Sequence, residues 1–366
     1  MISKKSNLKN FLIKTIFFLS TFSLKKKNKF NEKNPRILIV TTTAIGDTLW
    51  ATPFIKSIKE KYSKSYLSVL TSKIGFEILK NNPYLDELFF IKEPVYKSFF
   101  STLKKIRKNK FEAILIFHAS QRLILPMIAL TNASIIASSH GLNKDLDFLL
   151  THKTKSKNLH EILRRDEITK VINIKTLDFS LKYYLEKEKK YPITFTQEKK
   201  YLFVIHPGAS KKEKCYPPKY FIELGRLLKN NFDCNIIITG SMKEKKLIKF
   251  ISSQIEASFN YVSTSLNEFA CILNKMDLLI TNDTGPMHLA SALNKNVAAF
   301  FGPTNPKISA PYNYKKVLVF ESRNACKICI YKKCTNAICF YSINPNIVFN
   351  KIKNYFNSKK QNFISI

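Results

Sequence analysis

Residues 36–48, R-I-L-I-V-T-T-T-A-I-G-D-T, join an apolar, β-branched run to a short polar loop. The run over 36–42 is suited to a parallel strand that is buried on both faces. The loop leads into a helix, which the pattern predicts from about residue 48 to residue 62. Strand and helix patterns then alternate along the chain, which predicts an α/β fold with doubly wound parallel sheets.

The same alternation occurs in two series, separated by a charged, proline-containing segment at 185–200 that we interpret as an interdomain linker. Strands are predicted at 66–71, 87–92, 112–117 and 133–137 in the first series, and at 201–206, 235–239, 260–263, 277–281 and 296–301 in the second. The sequence thus predicts two Rossmann-like domains, at 36–185 and 200–344, with parallel sheets facing an interdomain cleft. An N-terminal extension (1–35) and a C-terminal helical segment (345–366) complete the predicted organisation.

Composition excludes several classes of protein. Of the 366 residues, 45% are hydrophobic and 24% are charged, which is typical of a folded globular protein and excludes a largely disordered chain. The net charge of +35 suggests nucleic acid or an anionic membrane surface as a partner. Nucleic acid is not favoured, because only seven of the basic residues are arginines. A coding bias that enriches lysine explains the charge without any such partner.

The N-terminal extension is basic and apolar. Lysines flank an apolar stretch from Phe11 to Leu24 that is too short to span a bilayer. No cleavage site of small residues follows the stretch, so a signal peptide is not indicated. We expect either an amphipathic anchor that lies in the plane of an anionic leaflet or a poorly ordered basic tail.

Glycine is scarce, with eight residues in the chain, and several glycines follow predicted strands directly. The first such turn contains Gly46 and Asp47. At the start of a helix, Asp47 is suited either to N-capping or to the role of a general base. The spacing alone does not separate these two roles.

Two further turns have the composition of an anion-binding site. His206-Pro207-Gly208-Ala209-Ser210 is followed by three lysines that include Lys214, and then by a helix. Residues 277–288, D-L-L-I-T-N-D-T-G-P-M-H, lead from a strand into a helix that carries His288. The backbone amides of Thr284, Gly285 and Met287 at this helix N-terminus are expected to attract an anion. A capped helix with a buried, satisfied histidine is the structural alternative.

The turns and their order resemble glycosyltransferase family 9, the heptosyltransferases of the lipopolysaccharide inner core. The resemblance covers about residues 36–350. It rests on I-L-I-V-T-T-T-A-I-G-D-T-L-W-A-T-P (37–53), N-P-Y-L-D (82–86), F-H-A-S-Q-R (117–122), H-P-G-A (206–209), K-C-Y-P-P-K-Y-F (214–221), N-D-T-G-P-M-H-L-A (282–290) and F-G-P-T (301–304).

The resemblance implies a GT-B fold, with the acceptor in the N-terminal domain and the nucleotide-sugar in the C-terminal domain. It also implies inverting transfer that needs no metal or other cofactor. By position, Asp47 resembles the catalytic base. The residues that resemble donor ligands are Ser210, Lys214, Asp283, Thr284, Gly285 and His288. Tyr216 stands where the family usually has tryptophan, a change that would affect how the nucleotide packs.

The acceptor is expected to lie near Gly46, His118 and Arg122. An anionic glycolipid, such as phosphorylated lipid A bearing Kdo, suits Arg122 and the lysines around it. As structural alternatives, His118 caps a helix and Arg122 pairs with a carboxylate.

Four of the seven cysteines, Cys326, Cys329, Cys334 and Cys339, lie within 14 residues. Their spacing is compatible with a structural tetrahedral zinc, although free thiols are the favoured interpretation. Overall cysteine usage fits a cytoplasmic protein.

The leading functional hypothesis is a heptosyltransferase that uses ADP-heptose and acts peripherally at the inner face of the inner membrane. One alternative is a family 9 transferase with another nucleotide-sugar or acceptor. The other is a non-catalytic membrane-surface binding protein, which is disfavoured because Asp47, Lys214 and the D-T-G turn are present.

Overall fold

The structure, a computed structural model, describes residues 29–155, 158–186, 193, 199–256, 258–263, 265–312, 314–322 and 338–364. Within these residues the chain divides into two units, with the boundary between Phe179 and Ser180. Most of the predicted linker at 185–200 and the first 28 residues of the predicted extension lie outside the described residues. The predicted domain bounds therefore stay predictions.

The first unit contains a parallel six-stranded sheet in the order β3-β2-β1-β4-β5-β6. Its strands are β1 (Arg36–Thr41), β2 (Tyr66–Thr71), β3 (Glu87–Phe90), β4 (Ala113–His118), β5 (Ile135–Ser139) and β6 (His152–Thr154). Its helices are α1 (Ile45–Leu49), α2 (Thr52–Lys61), α3 (Lys73–Leu79), α4 (Val95–Lys108), α5 (Ile124–Ala129) and α6 (Glu161–Lys170).

The second unit repeats this architecture, with the order β12-β11-β10-β7-β8-β9 and parallel pairing throughout. Its strands are β7 (Tyr201–His206), β8 (Cys234–Gly240), β9 (Ser258–Val262), β10 (Leu278–Asn282), β11 (Asn296–Phe301) and β12 (Val317–Glu321). Its helices are α7 (Pro218–Asn231), α8 (Lys245–Ser252), α9 (Leu266–Lys275), α10 (Gly285–Ala292), α11 (Pro306–Ser309) and α12 (Pro345–Ile364).

The central strands are buried because each sheet carries helices on both faces. Residues 37–41 of β1 and all seven residues of β8 are buried. The aliphatic core of the first unit includes Leu38, Val40 and Ile114, whereas the core of the second is rich in aromatic rings. Helix α12 extends beyond the predicted end at residue 357 and packs Val348, Phe349, Ile352 and Phe356 into that second core.

The predicted α/β class with parallel sheets is confirmed, and three differences in the elements have local causes. The helix predicted at 48–62 is divided into α1 and α2, with Pro53 in the first turn of α2. Helix α6 is absent from the prediction, because its buried positions include Arg165, Asp166 and Thr169 and no apolar stripe marks its inner face. The edge strands β6 and β12 were also missed, and β6 has only three residues.

Candidate active site

Asp47 lies in α1, directly beyond the carboxyl end of β1. Ala44 is the N-cap residue of this helix, so the alternative interpretation of Asp47 as the N-cap is wrong. The Asp47 carboxylate is held from two sides. Thr43 Oγ1 donates to Oδ2 at 2.7 Å, and Arg165 Nη2 donates to Oδ1 at 3.0 Å.

Arg165 is fully buried on α6 and uses its guanidinium to link three groups. Besides Asp47, it donates through Nη1 to the Glu161 carbonyl oxygen at 2.7 Å and to Glu161 Oε2 at 2.9 Å. Its guanidinium carbon lies 5.0 Å from the ring centroid of Trp50, within cation–π range. A planar, permanently charged fork suits such a site, which a lysine could not fill in the same way.

These contacts control the ionisation of Asp47. Burial alone raises the pKa of the carboxyl, but the positive charge of Arg165 and the hydrogen bond from Thr43 oppose it, and the resulting pKa lies below the usual value. Asp47 is therefore an ionised hydrogen-bond acceptor at neutral pH. This state is the one that a general base requires.

His118 ends β4, and its Nδ1 atom lies 3.9 Å from Asp47 Oδ1, which is longer than a hydrogen bond. Burial lowers the pKa of the imidazole, although the nearby Asp47 acts in the opposite direction. The loops after β1 and β4 are joined beside it, since Thr42 Oγ1 donates to Gln121 Oε1 at 2.7 Å. The structure thus brings together His118 and Asp47 from the predicted set, as well as Gly46, which is buried in α1.

Arg122 lies in the loop after β4 and donates through Nη1 to the carbonyl oxygen of Lys144 at 3.4 Å. The Lys144 ammonium in turn donates to the Ser120 carbonyl oxygen. Burial, followed by the neighbouring Arg122, lowers the pKa of Lys144. Two cationic side chains therefore share one exposed loop region, an arrangement that favours an anionic ligand.

In the second unit, Asn282 links the two turns that the sequence predicts to bind an anion. This residue is fully buried at the end of β10. Its Nδ2 donates to the carbonyl oxygens of Pro207 and Gly208 at 2.8 and 3.1 Å, and its Oδ1 accepts from the Tyr216 amide at 2.8 Å. Because β7 and β10 are neighbours in the sheet, these hydrogen bonds fix the two turns side by side.

Lys214 and Asp283 form an ion pair across these turns, with 2.7 Å between Nζ and Oδ2. Asp283 is almost fully buried and Lys214 is partly exposed, so the ammonium is held at the surface of the turn. Ser210 is exposed on the same loop. A fixed cation with one accessible side is suited to neutralising a phosphate oxygen.

Thr284 is the N-cap residue of α10, and Gly285 begins the helix. The expectation for Met287 is wrong, since its amide already donates to the Thr284 carbonyl oxygen at 3.1 Å. His288 lies in the first turns of α10 and is buried. The helix N-terminus retains the positive dipole end that favours an anion.

Glu244 is a further candidate in this unit. It follows β8, and its Oε2 accepts from the Ser241 amide and hydroxyl at 2.7 Å each. Its carboxylate lies so close to Gly208 that a Cβ atom at position 208 would be 1.5 Å from Oε1. A side chain at position 208 would therefore displace the Glu244 carboxylate.

Tyr216 does not belong to the site surface. Its ring stacks on Phe300 with 4.1 Å between the centroids, and its hydroxyl donates to the Ile343 carbonyl oxygen at 2.6 Å. Since only 1% of the residue is exposed, the expected effect of this substitution on nucleotide packing is wrong. Tyr216 is a core residue that anchors the start of α7.

The candidate zinc cluster is only partly visible, because Cys326, Cys329 and Cys334 lie outside the described residues. Cys339 is buried and carries a free thiol. In the part of the chain that the structure describes, no group of three or more His, Cys, Asp or Glu side chains is arranged to hold a metal ion. The proposal of a structural zinc stays a prediction.

Three residues at these sites were missed from the sequence: Arg165, Asn282 and Glu244. The N-D-T-G run does contain Asn282, but nothing in the run distinguishes a turn clamp from a surface amide. Glu244 comes four residues after Gly240, the last residue of β8. An acidic residue just after the second strand of a Rossmann unit is a signal by which Glu244 could be identified from the sequence. Arg165 gives no such signal, since its partner Asp47 is 118 residues away.

The sequence matches a known family over much of its length. Residues 146–339 match the family model of glycosyltransferase family 9 (heptosyltransferase). The chain is 24% identical over 329 residues to lipooligosaccharide heptosyltransferase 2 of Campylobacter jejuni, covering 87% of this chain and 98% of that protein. It is 19% identical to the lipopolysaccharide core heptosyltransferase OpsX of Haemophilus influenzae, covering 78% and 84% of the two chains.

Solved structures share the fold. Escherichia coli ADP-heptose lps heptosyltransferase II superposes with a TM-score of 0.70 at 15% identity, covering 89% of this chain and 99% of that one. E. coli heptosyltransferase WaaC with ADP gives a TM-score of 0.69 at 15% identity, covering 87% and 99%. At these identities the likeness establishes the GT-B fold.

Proposed function

The chain belongs to glycosyltransferase family 9, and on that basis we propose that it transfers a heptose from ADP-heptose to the Kdo/heptose inner core of lipopolysaccharide. Its relatives are named as lipopolysaccharide and lipooligosaccharide heptosyltransferases, which supports this choice of sugar and acceptor. The observation that carries the proposal is the Asp47 carboxylate, kept ionised by Arg165 and Thr43 at the end of a central strand.

Asp47 acts as the general base in this proposal. The acceptor hydroxyl donates a hydrogen bond to the carboxylate and transfers its proton there as the oxygen attacks the anomeric carbon. A lowered pKa makes Asp47 a weak base, so proton transfer occurs late, when the attacking hydroxyl has become acidic. Thr43 and Arg165 fix the carboxylate, which removes the entropic cost of aligning it in each cycle.

The second unit binds the donor. Lys214 and the N-terminus of α10 at Thr284 and Gly285 face the diphosphate, with Ser210 as a hydroxyl ligand and Asp283 as the group that holds Lys214 in place. His288 lies in the same helix and supports the sugar-proximal part of the site. Glu244 is suited to accept hydrogen bonds from the ribose hydroxyls, as acidic residues after the second strand do in Rossmann units.

The reaction is a single displacement with inversion at the anomeric carbon. One bond forms from the acceptor oxygen to that carbon, and the bond from the carbon to the diphosphate oxygen breaks. The electron pair leaves on ADP, and the proton passes to Asp47. Lys214 and the helix N-terminus stabilise the negative charge that develops on the leaving diphosphate, so the proposed mechanism uses neither a metal nor another cofactor.

The acceptor is proposed to be an anionic glycolipid. Gly46 and His118 lie beside Asp47, and Arg122, in the loop after β4, is linked to Lys144, in the loop after β5. The two cations favour a phosphorylated or carboxylated acceptor. Such an acceptor places the enzyme at the inner face of the inner membrane, as a cytoplasmic peripheral protein. None of the described helices has the combination of length and hydropathy that a membrane crossing requires.

Residues 1–28, which lie outside the described residues, are proposed to add a basic, apolar attachment to the membrane. Deletion of residues 2–30 is expected to reduce co-sedimentation with anionic vesicles and to leave donor binding intact. High salt is expected to weaken attachment of the full-length chain only in part, because salt does not screen the contribution of apolar side chains. Equal sedimentation of the truncated chain would contradict this attachment.

The proposed function is tested by incubating the full-length protein with Kdo-lipid A and one nucleotide-sugar at a time, while ADP or UDP release is measured. ADP-heptose is expected to give acceptor-dependent release of ADP and a glycolipid heavier by one heptose. Turnover with another nucleotide-sugar, but not with ADP-heptose, would assign a different donor to the same site. Absence of turnover with every donor, although ADP binds, would contradict transfer to Kdo-lipid A and favour either another acceptor or a non-catalytic binding protein.

A further inference from the structure

Helix α4 presents an outward face that combines aromatic rings with positive charge. Tyr96 and Phe100 are 65% and 78% exposed, respectively. They lie one helical turn apart, so their rings share the same side of the helix. Single exposed aromatic side chains are common on protein surfaces, but two on one side of a helix form a larger apolar patch of the kind that marks a contact surface.

Most of the other exposed positions of this helix are cationic, and Ser101 is neutral. The exposed basic residues of the helix and its C-terminal end are Lys97, Lys104, Lys105, Arg107, Lys108 and Lys110. The sequence from Val95 to Lys110 contains no aspartate or glutamate. We call this surface, formed by Tyr96, Phe100, Lys97, Lys104, Arg107 and Lys108, the α4 face.

The opposite side of α4 is fixed to the core. Val95, Leu103 and Ile106 are buried in the hydrophobic cluster of the first unit, together with Phe89 and Phe111. The helix is therefore held rigidly, and the α4 face is not an apolar side that could turn inward. Binding at such a preordered surface costs little conformational entropy.

The surroundings extend the surface without neutralising it. A groove of about 900 Å³ lies beside the helix along edge strand β3, and its lining includes Phe90, Lys105 and Lys108. The acidic residues in that lining already have partners. Asp86 pairs with Lys59 at 2.6 Å, and Glu87 accepts hydrogen bonds from Tyr66 and Asn109.

We propose that the α4 face docks the protein onto an anionic phospholipid bilayer, with Tyr96 and Phe100 inserted at the interface and the cations on the headgroup phosphates. Charge of one sign matches an anionic leaflet, whereas two copies of this surface would repel each other. The aromatic pair supplies apolar area at the depth where such rings reside. The proposal rests on the membrane location given in the proposed function, but it depends neither on residues 1–28 nor on the identity of the donor.

The single tryptophan of the chain makes a direct test feasible, because Trp50 is buried with 7% exposure and its emission provides a constant background. Phe100→Trp in the full-length protein places a reporter on the α4 face. Leu177→Trp is the matched control, since Leu177 is 84% exposed in the same unit but lies outside the α4 face. Both proteins are mixed with phosphatidylglycerol/phosphatidylethanolamine vesicles that carry brominated acyl chains.

We expect the Phe100→Trp emission to shift to shorter wavelength and to fall by at least half on these vesicles, with no change for Leu177→Trp. Adding Lys104→Glu and Lys108→Glu to Phe100→Trp is expected to raise the lipid concentration needed for half-maximal quenching at least tenfold. This estimate follows from a contribution of roughly fivefold in partitioning for each basic group. Lys104→Arg with Lys108→Arg is expected to retain the quenching.

Several results would overturn the proposal. Unquenched Phe100→Trp in vesicle-bound protein would place the membrane contact elsewhere, and failure to bind vesicles at all would remove the contact altogether. Equal quenching on phosphatidylcholine vesicles would contradict the role of charge. A blue shift that grows with protein concentration in the absence of lipid would identify the surface as a contact between two copies of the chain.

Discussion

Arg165 Nη2 lies 3.0 Å from Asp47 Oδ1, and this contact joins α6 to the end of β1 across 118 residues of sequence. The arginine is fully buried, and its charge is shared between Asp47 and Glu161. A buried ion pair adds little net stability, because desolvation offsets the attraction. The ion pair instead fixes the orientation of the Asp47 carboxylate and keeps it ionised.

Arg165→Gln is expected to move the acidic limb of the pH dependence of kcat/KM to higher pH. The native Asp47 has a lowered pKa and stays ionised until the pH falls through that value. Removal of the positive charge raises the pKa of Asp47, so activity is lost at a higher pH than in the native enzyme. The measurement is the rate of ADP release between pH 4 and pH 9.

Arg164→Gln is the matched control for this variant. Arg164 precedes Arg165 and also pairs with Glu161, but no hydrogen bond joins it to Asp47. We expect its acidic limb to shift much less. An Arg165→Gln enzyme that is slower but has an unchanged profile would reduce Arg165 to a structural role, and Arg165→Lys is expected to restore part of the native profile.

Asp47→Asn is expected to reduce turnover by roughly 10²–10⁴-fold, because the acceptor hydroxyl loses its proposed general base. Binding of ADP, measured by titration calorimetry, should be unchanged, because the proposed donor ligands are in the second unit. Asp166→Asn is the control, since Asp166 is a buried carboxylate of the same unit that pairs with Lys170. Turnover of Asp47→Asn within a few-fold of the native enzyme would exclude Asp47 as the base.

The local pattern was sufficient to predict the parallel α/β class and most of the central strands. β2, β7 and β11 begin and end at the predicted residues, since buried parallel strands are continuous apolar runs bounded by polar turns. Helix α6 has no comparable signal. It buries Arg165 and Asp166, and the contact that fixes Arg165 in the core is made to Asp47, a residue distant in sequence.

The same distinction applies to the sites. Asp47 and Asp283 could be singled out because they lie in turns that directly follow strands, where α/β folds bind ligands. The contacts that position them were not predictable. Arg165 and Lys214 reach them across 118 and 69 residues, and such distances follow only from the packing of whole elements.

Lys214→Ala is expected to weaken donor binding and to slow transfer together, because in the proposed mechanism the ammonium contacts the diphosphate in both the ground state and the transition state. ADP affinity and kcat are the two measurements. Lys212→Ala is the control, since Lys212 is an exposed lysine in the same short helical turn. Equal effects of the two substitutions would indicate a diffuse electrostatic contribution instead of a specific ligand.

Asn282→Ala is expected to destabilise the protein by about 2–4 kcal/mol, because it removes three buried hydrogen bonds and leaves their backbone partners unsatisfied. Chemical denaturation measures the loss in the free energy of unfolding. Asn231→Ala removes one exposed hydrogen bond to the Leu227 carbonyl oxygen and is expected to cost well under 1 kcal/mol. A similar small loss for Asn282→Ala would show that the two turns are held together by other contacts.

Gly208→Ala tests the role of Glu244 without changing the carboxylate itself. The added methyl group would overlap Glu244 Oε1, so the side chain has to leave the position in which it accepts from Ser241. Because the displaced atoms are the end of a flexible side chain, we expect little loss of stability but about tenfold weaker ADP binding, as the proposed ribose contact is lost.

Gly225→Ala is the control for Gly208→Ala. Its methyl group would lie 2.4 Å from Ile255 Cδ1, on the side of α7 that packs in the core. That variant is expected to unfold at a lower denaturant concentration and to bind ADP normally once folded. Normal ADP affinity in Gly208→Ala would remove Glu244 from the donor site.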